Sequence, residues 1–137
     1  MRVYLLSVVL VVLSLVLGAC GGGGGAQSAA TPTLPAPPAA YAGKTNPLGP
    51  DAAEAGKQVF TTYCVSCHGE QGHGDGPAAA SLDPKPKNIA ELQKVAGDDF
   101  LFWRISEGVE GTAMVAWKTT LKEEEIWQVI AYLRTLK

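Results

Sequence analysis

Cys64-Val65-Ser66-Cys67-His68 brings two thiols and an imidazole into one short stretch. Thiols at this spacing can span one edge of a porphyrin and add to its vinyl groups as thioethers. The imidazole that follows can then turn inward and reach the iron. Cys-x-x-Cys-His is the attachment pattern for c-type haem. The same two thiols could also be half of a zinc site or a dithiol redox pair. A zinc site needs about four ligands, and outside this pentapeptide only Cys20 and His73 carry a thiol or an imidazole. A thioredoxin-like dithiol site requires strands alternating with helices, and the sequence has no convincing strand pattern. A Cys64–Cys67 disulfide would leave His68 unexplained. The motif therefore points to one covalent haem c with its iron, and Cys64, Cys67 and His68 are the residues that would hold it.

An iron that only passes electrons takes two axial ligands, commonly His with Met. The chain has two methionines, Met1 and Met114. Met1 heads an apolar leader, which leaves Met114. Methionine is often a gap-filler in a core, but Met114 sits in Gly111-Thr112-Ala113-Met114-Val115-Ala116-Trp117, outside any helical stripe. His73 follows His68 in a glycine-rich loop on the same chain reversal, poorly placed to cross to the far side of a ring. An open iron or a lysine ligand are the remaining alternatives. No Ser–His pair, paired carboxylates or phosphate loop stands out, so no catalytic residue is assigned. The acidic residues are spread over helix ends and loops.

The elements that must position these groups are helical. Asp51 and Glu54 have capping-box spacing, and Ala52, Ala55, Gly56, Val59, Phe60 and Tyr63 then follow a helical period. This helix runs directly into the cysteine motif. Thr120 and Glu123 have the same capping spacing before Ile126, Val129, Ile130 and Leu133, with Trp127 and Tyr132 flanking that face. Glu123, Glu124 and Glu125 suit the positive end of that helix. Further helices are predicted near 98–107, stopped by Gly108, and near 88–95, ending before Gly97. Residues 69–86 read as loop. The fold class is all-α with long loops, better suited to wrapping a flat cofactor than to a regular bundle.

The chain before Asp51 reads differently. Arg2 and the apolar run 3–17 have the make-up of a secretory leader, and the run is short for a spanning helix. Leu17-Gly18-Ala19-Cys20 resembles the lipobox of bacterial lipoproteins. That resemblance implies a signal peptide over 1–19, cleavage before Cys20 and lipidation of its thiol; an uncleaved anchor helix is the alternative. Two or three acyl chains hold a protein to a membrane stably. Residues 20–50 read as a flexible linker, glycine-rich at 21–25 and then dominated by Pro32, Pro35, Pro37, Pro38, Pro47 and Pro50. Fully stretched it would reach on the order of 90–100 Å. With Cys20 lipidated and two thiols on haem, no cysteine is left for a disulfide, and the haem becomes the staple of a small domain. Residues 51–137 hold nine Lys or Arg against 13 Asp or Glu, a net charge of −4. That balance argues against nucleic acid as a partner.

Residues 51–137 resemble the single-haem class I c-type cytochrome family over almost their whole length. The resemblance rests on the haem motif, on Gly56 and Phe60, on Gly74-Asp75-Gly76-Pro77, on Gly111-Thr112-Ala113-Met114 and on the aromatic last helix. It implies a small cytochrome c fold, with helices and loops wrapped around one haem. It also implies that the first and last helices cross, Gly56 and Phe60 meeting Val129, Tyr132 and Leu133. A loop proline carbonyl should accept a hydrogen bond from the axial His68; Pro77 is assigned, with Pro84 second. Trp117 is expected against the haem or on a propionate, or else as a plain core residue, and Trp103 and Arg104 carry the same two readings. The chain departs from the family where Val115 follows Met114, because many relatives have proline there to stiffen the loop.

The resemblance implies one-electron transfer with both axial positions filled, an electron carrier rather than an enzyme. The expected role is a membrane-tethered carrier on the extracytoplasmic, periplasmic side of a bacterial membrane. Its partners would be redox proteins of a respiratory or photosynthetic chain, with no small-molecule substrate. It would act as a shuttle or as the haem subunit of a quinol oxidoreductase or oxidase complex. A haem enzyme or ligand sensor with a displaceable Met114 is the competing expectation.

Overall fold

The computed structural model describes residues 34–137. The leader 1–19, Cys20 and the first part of the linker lie outside the described residues. Five α-helices follow in order: α1 (Ala53–Tyr63), α2 (Val65–His68), α3 (Ile89–Val95), α4 (Asp98–Glu107) and α5 (Glu123–Leu133). Short 3-10 turns occupy Pro50–Ala52 and Ala79–Ser81, and no strand occurs among the described residues.

The fold is organised by the contact between α1 and α5. A β-carbon on Gly56 would lie 1.8 Å from the carbonyl oxygen of Gln128 and 2.9 Å from the Val129 nitrogen. Only hydrogen fits, so the two backbones touch there. One turn on, the Phe60 ring is 1 % exposed and lies 5.2 Å from the Tyr132 ring, centroid to centroid. Val129, Ile126 and Ile130 are buried from the α5 side. Burying a ring or aliphatic side chain of this size stabilises by about 1.5–3 kcal/mol. Helix α4 completes the core with Phe100, Leu101, Phe102 and Ile105, and Phe102 stacks on Trp127 at 4.1 Å.

Helix starts differ from the expected caps. Pro50 begins a 3-10 turn, so Asp51 lies inside a turn and accepts no capping hydrogen bond; α1 starts after Ala52 without a side-chain cap. At α5 the cap position is Lys122, not Thr120, and the Lys122 N–H donates to Glu125 Oε2 at 2.7 Å. Asn88 caps α3, its Oδ1 accepting from the Glu91 N–H at 3.1 Å.

The packed chain also begins earlier than Asp51. Residues 34–49 form a strap against the helices, with Leu34, Tyr41 and Leu48 packed on the core. A turn closes where the Tyr41 and Ala42 N–H groups donate to the Pro38 carbonyl. The Gly43 N–H donates to Asp99 Oδ2 and the Asn46 N–H to Asp98 Oδ2, each at 3.0 Å. Asn46 Nδ2 donates to the Trp127 carbonyl at 2.9 Å. The expectation of a flexible linker over 20–50 is thus corrected for 34–49. Proline and alanine look like spacer in composition, but Tyr41, Asn46 and Leu48 find fixed partners.

Candidate haem-binding site

Helix α1 delivers the attachment motif without a break. The Cys64 N–H bonds back to the Phe60 carbonyl, and one residue later the chain re-enters a helical turn as α2. The segment after α2 folds onto the motif's own backbone. The N–H groups of Gly74, Gly76 and Ala78 donate to the carbonyls of His68, Cys67 and Ser66 at 2.9, 3.2 and 2.9 Å. A β-carbon on Gly76 would come within 2.5 Å of the Ser66 and Val65 carbonyl oxygens. That close approach is the physical reason for glycine in Gly74-Asp75-Gly76-Pro77. The motif is held rigid before any cofactor is considered.

Cys64, Cys67 and His68 are all half-buried, and both thiols are free. Burial, and secondarily Cys67 beside it, push the Cys64 thiol up to about 12. A place that penalises thiolate suits a neutral thioether and disfavours a zinc thiolate, which must be deprotonated. Among the described residues no group of three or more His, Cys, Asp and Glu side chains could hold a metal ion. Burial also lowers the His68 pKa, against a smaller opposing effect of the Lys87 backbone. The imidazole is therefore neutral near pH 7, the form that ligates iron. Its Nδ1 is buried and has no hydrogen bond of normal geometry. An Nδ1 left as the donor face leaves Nε2 free for a metal. These residues fit a haem c.

His68 Nδ1 makes no hydrogen bond to the Pro77 or Pro84 carbonyl, and the backbone that bears on its titration is that of Lys87. Pro77 is exposed, and its chain neighbours carry the contacts to the motif. The 86–87 segment reaches this position because it crosses over Gly74, where a β-carbon would lie 2.4 Å from the Pro86 carbonyl oxygen. Lys87 has no signal for this place in the sequence, since a backbone group leaves no side-chain signature.

Met114 lies on the loop that leaves α4 and returns to it. Gly108 ends α4 with φ +72°, and a β-carbon there would sit 2.4 Å from the Met114 carbonyl oxygen. The Val109 N–H donates to that same carbonyl at 2.9 Å. Thr112 ties the loop internally: its hydroxyl donates to the Val109 carbonyl at 2.7 Å and accepts from the Met114 N–H at 3.1 Å. The returning strand of chain is fixed by Trp117 N–H to the Ile105 carbonyl and Lys118 N–H to the Ser106 carbonyl. Met114 itself is half-buried against the core, and Val115 is 60 % exposed.

One aromatic contact joins the two halves of the site. The Tyr63 ring, next to Cys64, lies 5.5 Å from the Trp117 ring at the far end of the methionine loop. Trp117 therefore packs between the attachment helix and the loop. Trp103 carries the Arg104 guanidinium 3.8 Å from its ring centroid, and Arg104 also lies over Phe100. His73 is exposed, with Nε2 3.4 Å from the Lys137 carbonyl oxygen at the chain end.

The model of the family described as cytochrome c oxidase, cbb3-type, subunit III matches residues 51–133. The chain belongs to this family. It is a class I c-type cytochrome with a small all-α cytochrome c fold, an electron-transfer protein whose cofactor is haem c with iron. This cytochrome is 33 % identical over 100 residues to the cbb3-type cytochrome c oxidase subunit FixPc of Rhizobium leguminosarum bv. viciae. The match covers 72 % of the chain but 33 % of that relative, so the chain spans about a third of the curated relative's length. Among solved structures it is similar to a reducing HAO-like protein complex of Kuenenia stuttgartiensis, with a TM-score of 0.59 and 28 % identity over 66 % of this chain and 47 % of that one. Cytochrome cL of Methylophaga aminisulfidivorans is also similar, with a TM-score of 0.49 and 27 % identity over 62 % and 53 % of the two chains.

Proposed function

We propose that this cytochrome is a single-haem electron carrier tethered to the extracytoplasmic face of a bacterial membrane, working as an electron-passing component beside a terminal oxidase or related respiratory complex. Cys64 and Cys67 would hold the haem through thioether bonds, and His68 and Met114 would ligate its iron. The observation that carries this reading is the methionine loop, pinned by Gly108, Thr112 and the Tyr63–Trp117 contact to the helix end that bears the cysteines. Bound haem supplies a one-electron ferrous–ferric couple whose potential a sulfur ligand raises. The protein's part is to hold His68 neutral, keep Met114 in place and change shape little between redox states. Each of these lowers the reorganisation that accompanies electron transfer. Membership of an oxidase-subunit family supports the choice of partner.

The tether rests on the leader and on Cys20 in its lipobox-like setting. The signal peptide covers 1–19, and lipidated Cys20 holds the protein to the membrane. Washed membranes should retain the holoprotein until detergent is added, and Cys20→Ser should release it; release of the wild-type protein by washing alone would sink the tether.

Met114→Ala separates carrier from haem enzyme or sensor. In the ferric wild type we expect the red charge-transfer band of sulfur-ligated haem and slow cyanide binding. The variant should lose the band, drop in midpoint potential and bind cyanide and CO readily, with its helical circular dichroism retained. A wild type that lacks the band and binds CO at once would be a ligand-binding haem protein instead.

A further inference from the structure

The strap and the methionine loop meet at one carboxylate. Glu107 ends α4, where the loop departs, and Lys118 stands where the loop returns. Lys118 Nζ lies 2.8 Å from Glu107 Oε1 and 2.6 Å from Oε2. Tyr41 of the strap donates its hydroxyl to the same Oε1. We propose that Tyr41 is a positioning residue for Met114, holding the methionine loop closed through Glu107 and Lys118. This rests on Met114 being the iron ligand.

The physical argument concerns the freedom of the ion pair. Side chains of Lys118 and Glu107 are 51 % and 33 % exposed, and an exposed pair of two flexible side chains contributes little by itself. Most of its Coulomb attraction is offset by the rotamer entropy lost in forming it. Tyr41 changes that balance, because its ring has two torsions and its backbone is fixed by the turn on Pro38. With the hydroxyl on Oε1, the carboxylate is already oriented when Lys118 meets it. The two ends of the loop are then pinned to one point, and the Met114 sulfur has less room to swing away.

Close packing does not hold Tyr41 in place by itself. Its ring is half-buried, 6.0 Å from the Phe102 ring. It borders a cavity of about 340 Å³ lined also by Lys44, Phe102, Ser106, Lys118 and Leu121. The hydroxyl bond is thus the directional link between strap and loop, and removing one oxygen should break it without collapsing a core.

The test uses full-length holoprotein in detergent and the variants Tyr41→Phe, Glu107→Gln and Lys44→Ala. Two quantities are read: the rate at which cyanide displaces the methionine in ferric protein, and the temperature at which the sulfur band disappears against that at which helical dichroism is lost. Y41F should speed cyanide displacement about tenfold, the factor carried by one hydrogen bond to a carboxylate. Its sulfur band should melt several degrees earlier while the helical transition stays in place. The double variant Y41F/E107Q should be no faster than the faster single one. K44A, on the same strap and cavity but without contact to Glu107, should behave as wild type. Y41F with wild-type kinetics and band overturns the positioning role, and so does a band and helical transition that fall together. A wild type with no sulfur band overturns the ligand assignment itself, and this role with it.

Discussion

At the scale of single residues, the point of interest is how the methionine loop stays in place with valine after the methionine. A proline ring would fix the loop by restricting a torsion. This chain fixes it with a hydroxyl, since Thr112 both donates to Val109 and accepts from Met114. Thr112→Val removes both bonds at nearly constant volume. It should weaken loop closure by about 1–2 kcal/mol, seen as an earlier thermal loss of the sulfur band. Val115→Pro in the T112V background should restore part of that loss; if T112V alone changes nothing, the hydroxyl is not the stiffening device. The pentapeptide and Met114 stand out in the sequence as candidates because their chemistry lies in side chains. In the sequence Thr112 stands only as part of a Gly-Thr-Ala-Met string, and Gly108 only as a helix stop. Their roles depend on where Met114 returns to the backbone, which spacing does not give. Lys87 is silent in the sequence for a similar reason, because it bears on His68 only through its backbone.

At the scale of elements, the α1–α5 crossing is the feature on which the others depend. Gly56→Ala drives a methyl into the Gln128 carbonyl, a backbone atom that cannot rotate aside. The helices must separate, which we expect to cost about 3 kcal/mol or more, measured as a lowered denaturant midpoint of the holoprotein. A Gly56→Ala variant with wild-type stability would mean the helices can slide freely. Helical periodicity alone does not give this crossing; it is the resemblance to the class I cytochromes that implies Gly56 and Phe60 meeting Val129, Tyr132 and Leu133. Helix α4 matched its predicted span, 98–107. The caps did not match, since Pro50 starts a turn that displaces Asp51 and a lysine backbone takes the position expected of Thr120. Caps depend on a single torsion at the junction, and helix periodicity is silent on it.

At the scale of the whole domain, the strap closes over the helices through charged groups at both ends, so its docking depends on pH. Desolvation pushes Asp98 up, but the Asn46 amide and Arg134 outweigh it and hold the carboxyl below its ordinary 3.8. The Lys118 and Tyr41 hydrogen bonds hold Glu107 below 4.5. Lowered carboxylate values mean that the strap's stabilisation is complete above about pH 5 and is lost as pH falls through the folded values. Tyr41 is raised to about 12, first by its bond to Glu107. Its contribution is intact below pH 10 and lost as pH rises toward 12. The other charged groups facing Tyr41 across the cavity are Lys44, Lys118 and Glu123. Limited proteolysis within 34–49 should therefore be slow between about pH 5 and 10 and accelerate on either side; a flat profile would contradict this. Composition hid the strap, since proline and alanine mask three apolar anchors, Leu34, Tyr41 and Leu48, at intervals of seven residues. The strap's bonds also span long stretches of chain, 66 residues from Tyr41 to Glu107 and 81 from Asn46 to Trp127. Only a few part-exposed bonds and three apolar anchors hold the strap, so it should open on its own far more often than the helices unfold. In deuterium exchange read by mass spectrometry, the amides of Gly43 and Asn46 should exchange well ahead of those in α1 and α5. The native protein is then two nested folding units, an inner helical one and an outer strap that comes and goes many times while the inner one stays shut.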